Sequence, residues 1–143
     1  MIAIGSDHGG FLLKEEVKHY FDQNDISYQD FGILSKEKTD YPIIAKKVAV
    51  EVSSDRFEKG LLFCGTGLGM SIAANKIKNI RAVCATDFYS IKYSRLHNDA
   101  NILCLGGRVI GLGLAIELIN IFLNTNFEGG RHQRRLDMLE EFI

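Results

Sequence analysis

Apolar residues along the chain recur in two alternating rhythms. Short runs at residues 2–5, 27–31, 60–64, 81–85 and 102–105 are bounded by glycine or polar turn residues and read as strands, that at 60–64 as a buried one. Between them the spacing becomes helical. Leu13, Val17, Tyr20 and Phe21 mark one face of a first helix, with Lys14, Glu15 and Lys18 on the other. Thr39-Asp40-Tyr41-Pro42 opens a second, where Asp40 suits the cap, Pro42 the first turn, and Ile44, Val48 and Val52 the buried stripe. A third runs from a glycine loop to about residue 78, and a fourth covers 88–96 and leads into His97-Asn98-Asp99. Residues 112–123 form a helix that is apolar almost all round, the pattern of burial on two sides, inside one chain or against a second subunit. After Gly129-Gly130 a last helix carries Arg131, His132, Arg134 and Arg135.

Strands alternating with helices over 143 residues predict one α/β domain, a Rossmann-like three-layer α/β/α sandwich around a five-stranded parallel sheet. The expected strand order is 2-1-3-4-5, which puts a ligand crevice at the C-terminal edge between strands one and three. Two loops meet there, Ser6-Asp7-His8-Gly9 and Cys64-Gly65-Thr66-Gly67.

A net charge of −1 with 24% charged residues gives no support to a nucleic-acid or membrane partner. The most apolar stretch, 109–123, is too short to span a bilayer and carries Glu117 and Asn120. Met1-Ile2-Ala3-Ile4 enters a strand pattern directly, without the look of a secretory leader. Cys64, Cys84 and Cys104 form an odd set without metal-ligand spacing, so a reducing cytoplasm is expected, with Cys84 and Cys104 in the core.

The chemistry concentrates in residues 60–71, where an apolar strand ends in Cys64 and a glycine-rich turn starts a helix. Glycines let backbone approach a ligand closely, and N–H groups at a helix start favour an anion. The same position favours a thiolate, so Cys64 is a candidate base or nucleophile; its plain alternative is a small buried hydrophobe. Asp7 and His8 offer a carboxylate and an imidazole, or a helix cap and a surface histidine. Tyr41 either reaches the crevice or packs. In the last helix, arginines come early and Glu140 and Glu141 late, against the preference of the helix dipole. Such a reversal suits a phosphate site. His97 precedes strand five and so falls at the edge opposite the crevice, as a helix C-terminal histidine or as part of another subunit's site.

Familiar phosphate loops fit poorly. A cysteine phosphatase needs arginine where Met70 stands, and a Walker loop needs Gly-Lys-Ser/Thr. A dinucleotide fingerprint matches Gly65 and Gly67, with Asp87 near the acidic position, but lacks its third glycine at position 70. A nicotinamide-dependent oxidoreductase and a non-catalytic sugar-phosphate-binding module are the competing classes.

Taken together, Gly5-Ser6-Asp7-His8-Gly9-Gly10, Thr39-Asp40-Tyr41-Pro42, Cys64-Gly65-Thr66-Gly67-Leu68-Gly69, Ala73-Ala74-Asn75-Lys76, His97-Asn98-Asp99 and Gly129-Gly130-Arg131-His132-Gln133 resemble the type B ribose-5-phosphate isomerases, in the family that also holds the galactose-6-phosphate isomerase subunits. The resemblance runs over essentially the full length. It implies an aldose-ketose isomerase that needs no metal or other cofactor and works through an enediolate. Cys64 would be the base, Met70 standing where some members carry a glutamate. His97 would open the sugar ring, with Thr66 and Asp7 assisting. The loop over Gly65, Gly67, Leu68 and Gly69 would hold the oxyanion. Substrate and phosphate would engage His8, Tyr41, Asn98, Arg108, Arg131 and Arg135, and Arg134 has no assigned counterpart. A homodimer with shared sites, or a dimer of dimers, is implied, with His97 acting in trans. Ribose 5-phosphate is the expected substrate, with allose 6-phosphate and galactose 6-phosphate as six-carbon alternatives.

Overall fold

The computed structural model describes residues 1–143. Five strands, β1 (Ile2–Ser6), β2 (Tyr28–Asp30), β3 (Lys59–Cys64), β4 (Ala82–Cys84) and β5 (Ile102–Gly106), form one parallel sheet. Six helices accompany it: α1 (Phe11–Gln23), α2 (Tyr41–Ser53), α3 (Leu68–Ala74), α4 (Phe88–Leu96), α5 (Leu112–Asn124) and α6 (Arg131–Glu140). The central strands are buried on both faces, which is why their sequences read as continuous apolar runs. Alternate side chains feed two cores. Ile4, Leu61, Phe63, Leu103 and Leu105 meet Val17, Phe21, Leu118 and Phe122 on one face, whereas Leu62, Cys64, Ile102 and Cys104 meet Ile44, Val48 and Met70 on the other. No helix is long and apolar enough to cross a membrane.

The strand order is β2-β1-β3-β5-β4, which corrects the expected 2-1-3-4-5 at its last two places. Length and burial decide it. β5 has five residues, all buried, and can bond on both sides; β4 has three, two of them only half-buried, and takes the edge. β1 and β3 remain neighbours in register from Ile2 with Lys59 to Ser6 with Phe63, so the chain still reverses its direction of winding between them.

Helix ends differ in two instructive ways. α3 stops at Ala74 instead of continuing to about residue 78, because the Asn75 side chain accepts from Ala82 N–H at 2.8 Å and donates to its carbonyl at 2.9 Å, standing in as a neighbour for β4. Asp40 occupies the N-cap of α2, but its side chain makes no cap bond there. α5 fully buries Ala115, Leu118, Ile119 and Phe122, while Leu114, Ile121 and Leu123 are half-buried and pack against the same core.

Candidate active site

Three loops converge at the C-terminal edge of β1, β3 and β5, and they touch through backbone. A Cβ on Gly9 would lie 2.9 Å from the Gly65 nitrogen, and one on Gly107 would lie 2.8 Å from the Gly9 carbonyl oxygen. Side chains at these positions would push the loops apart. Gly107 N–H donates to the Cys64 carbonyl at 2.8 Å and Arg108 N–H to the Gly65 carbonyl at 3.0 Å, locking the third loop to the second.

Cys64 ends β3, buried beside Met70, and its Sγ accepts the Gly67 N–H at 3.0 Å. Gly67 holds φ +81°, which favours glycine, and a Cβ there would strike Cys84 Sγ at 2.8 Å. Of the remaining loop donors, Leu68 N–H goes to Thr66 Oγ1 at 3.2 Å, while Gly65, Thr66 and Gly69 N–H groups have no protein acceptor. The anion-holding set is therefore narrower than the whole loop. Burial pushes the Cys84 and Cys104 thiols up, keeping both protonated.

Four predicted residues surround this floor. Asp7, nearly buried, accepts from Gly9 N–H at 2.9 Å and Gly10 N–H at 3.1 Å through Oδ1, so one oxygen shapes the turn. His8 Nδ1 accepts Thr39 N–H at 3.3 Å, which fixes the ring as an Nε2–H donor when neutral. The Tyr41 ring lies against Gly69, where a Cβ would meet it at 2.8 Å; it packs on the loop and is also part of the crevice. The Arg108 guanidinium covers Gly65, its Nη1 3.2 Å from where a Cβ would stand. Asp87 is spoken for elsewhere: it caps α4, accepting Ser90 N–H at 2.7 Å, which removes it from any dinucleotide role.

The other predicted residues form a second cluster at the far end of the sheet. His97 caps the C-terminus of α4 and stacks on His132, ring centroids 4.1 Å apart. His97, Asn98, His132 and Arg135 line one cavity of about 480 Å³ with Tyr89 and Tyr93. Arg131 and Arg134 are exposed on the same helix, whose first turn carries no acid. β5 separates the clusters: it starts near the Asn98 turn and ends opposite Cys64, a rise of about 13 Å at roughly 3.3 Å per residue. Within one chain, His97 and Cys64 are not brought together.

His132 and Glu128 are two residues of this cluster whose roles the sequence does not mark. His132 is 4% exposed, and its Nε2 has no hydrogen-bond partner, 3.4 Å from Glu128 Oε2. Burial, then the His97 ring and Arg131, push its pKa down. One ligand atom from each of His97, Glu128 and His132 falls within 4.8 Å of the others, the chain's candidate metal-holding group. The only advance signal was the four-residue spacing of Glu128 and His132.

The comparisons agree with this architecture. Over 138 residues the chain is 46% identical to the ribose-5-phosphate isomerase B of Escherichia coli, covering 96% of this chain and 93% of that one. The solved ribose-5-phosphate isomerase B of Clostridium thermocellum superposes with a TM-score of 0.95 at 47% identity, covering 99% and 95% of the two chains. That of Thermotoga maritima also gives 0.95, at 48% identity over 98% and 97%. The Ribose/Galactose Isomerase family model matches residues 2–139. The chain belongs to this family, and it is an isomerase.

Proposed function

We propose that the protein interconverts ribose 5-phosphate and ribulose 5-phosphate through an enediolate, with Cys64 as the base. The observation that carries this is a buried thiol, bonded by the Gly67 N–H, beside backbone donors left free on the same loop. Cys64 takes the proton from one of the two carbons and returns it to the other. The N–H groups of Gly65, Thr66 and Gly69 receive the charge that develops on the carbonyl oxygen, the kind of stabilisation that usually dominates such steps. His8 and Arg108 are placed for the phosphate, Tyr41 borders the sugar, and Asp7 and Thr66 assist at the ring oxygen and hydroxyls.

Ring opening needs an acid-base group; at this crevice Asp7 is bound to its own turn, and His8, bonded to Thr39 N–H, is assigned to the phosphate. We assign ring opening to His97 of a second subunit, which would bring Asn98, Arg131 and Arg135 with it. This reading requires at least a homodimer, and assembly into a dimer of dimers is compatible with it. Three free cysteines support a reducing cytoplasm. The 143 residues would then act as one domain in each subunit.

The test is isomerisation of ribose 5-phosphate, beside allose 6-phosphate and galactose 6-phosphate, with chelator present, for wild type and Cys64→Ala. Turnover of ribose 5-phosphate that vanishes with the thiol supports both reaction and base. Preference for a six-carbon sugar changes the substrate and keeps the base, and binding of all three without turnover overturns the proposed reaction. Mixing Cys64→Ala and His97→Ala chains tests the shared site: activity returns at one site of each mixed dimer, and no recovery refutes action in trans.

A further inference from the structure

The His97–Glu128–His132 group carries a feature that isomerisation does not use. His132 is almost fully buried, yet its Nε2 is unpartnered and faces Glu128 Oε2 at 3.4 Å, with His97 Nε2 at 3.8 Å from the same oxygen. A buried nitrogen without a hydrogen-bond partner has given up its water for nothing in return and needs an explanation. Its Nε2 faces the Glu128 carboxylate without forming a hydrogen bond, an arrangement that a cation held between them would satisfy.

We propose that His97, Glu128 and His132 form a binding site for a divalent transition-metal ion of the zinc class, and that occupation takes His97 away from catalysis. Two imidazoles and a carboxylate are the donor set of an open tetrahedral site. Ligand atoms about 2.1 Å from such an ion stand about 3.4 Å apart, the separation His132 and Glu128 already have. His97 and Glu128 are partly exposed, and a swing of the His97 ring out of its stack on His132 turns its Nε2 towards the shared point. The fourth position opens on the cavity lined by Asn98 and Arg135, where a water or an anionic oxygen completes the set. The inhibitory half of the proposal rests on the assignment of ring opening to His97; the binding half does not.

Cobalt(II) titrated into the Cys64→Ser protein tests the binding half without any turnover. One ion per chain with intense visible d–d bands is expected, and Glu128→Gln and His132→Ala should each weaken binding more than about tenfold. If His132→Ala fails to fold, Glu128→Gln decides alone. Absent bands, or affinity unmoved by Glu128→Gln, overturns the site. In wild type, zinc should inhibit turnover of ribose 5-phosphate, and Glu128→Gln should need more than about ten times as much. Inhibition untouched by Glu128→Gln while cobalt binding is weakened refutes the capture of His97 and leaves the site standing.

Discussion

Lys14 is a lysine with no exposed side-chain surface, held by Asp30 at 2.9 and 2.8 Å and by the Ile33 carbonyl. Asp30 is shared: Lys18 reaches it at 2.9 Å and Gly32 N–H at 2.9 Å. The partners are therefore unequally dependent on each other. Asp30→Asn leaves a buried ammonium facing an amide and a carbonyl. Breaking such a pair costs about 3–5 kcal/mol, and the lower end applies because the amide oxygen still accepts. For a chain of this size that is a fall in Tm of roughly 10 °C. Lys14→Met fills a similar volume and leaves Asp30 neutralised by Lys18, so its loss should stay within about 1 kcal/mol. Urea unfolding of both variants measures the order. A larger loss for Lys14→Met, or less than about 1 kcal/mol for Asp30→Asn, refutes the reasoning. Acidity adds a second check. Burial alone would raise the Asp30 pKa, but the bonds from Lys14, Lys18 and Gly32 outweigh it and hold the carboxyl below its usual range. Its contribution therefore stands above the unfolded value of about 4 and is lost as pH falls through the lower folded value. The gap between wild type and Asp30→Asn should be flat near neutrality and close below pH of about 4. Burial already lowers Lys14, and more so without Asp30, so Asp30→Asn should regain stability on the alkaline side.

Three further outcomes are expected. Gly10→Ala would put a Cβ 2.3 Å from the Phe63 carbonyl carbon, backbone against backbone; it should destabilise by about 3 kcal/mol or more, read as a collapsed Tm or insoluble protein, and a near-native Tm would count against the loop contact. Arg81 Nε donates to the Asn98 and Asp99 carbonyls at 3.0 and 3.1 Å, and Nη1 to Glu140 at 2.7 Å, tying the His97 turn to α6. Arg81→Ala should lower turnover and stability together, with Arg81→Lys failing to restore them because the fork is lost; full rescue by lysine would contradict this. Gly67→Ala meets both a positive φ and Cys84 Sγ, so turnover should fall more than about tenfold while phosphate-ester binding persists; unchanged turnover would remove the Gly67 N–H from the argument.

Much of the fold was legible because the central runs, 2–5, 60–64 and 102–105, were short, apolar and followed by helices. The outer strand order was not. β4 and β5 differ in length and burial, and only assembly shows that the three-residue strand goes outside. The crevice was readable from glycine spacing at Gly65 and Gly67 and from Asp7 and His8, since winding places those loops together in any such sheet. Tyr41 was harder, because its contact with Gly69 depends on how α2 packs. His132 and Glu128 were missed because nothing in a sequence marks a nitrogen as buried without a partner.

The contact of Gly9, Gly65 and Gly107 has a consequence for how this centre can vary. What Gly9 and Gly107 contribute is empty space against main-chain atoms, whereas a substituent on Gly65 would meet only the Arg108 side chain. Selection at Gly9 and Gly107 acts on the absence of a substituent, so changes at those floor positions are all-or-none. The surrounding groups, His8, Tyr41 and Arg108, sit on the outer side of that floor and can be exchanged one at a time. Divergence towards sugars of other lengths should therefore proceed along the rim, with the reaction left as it was.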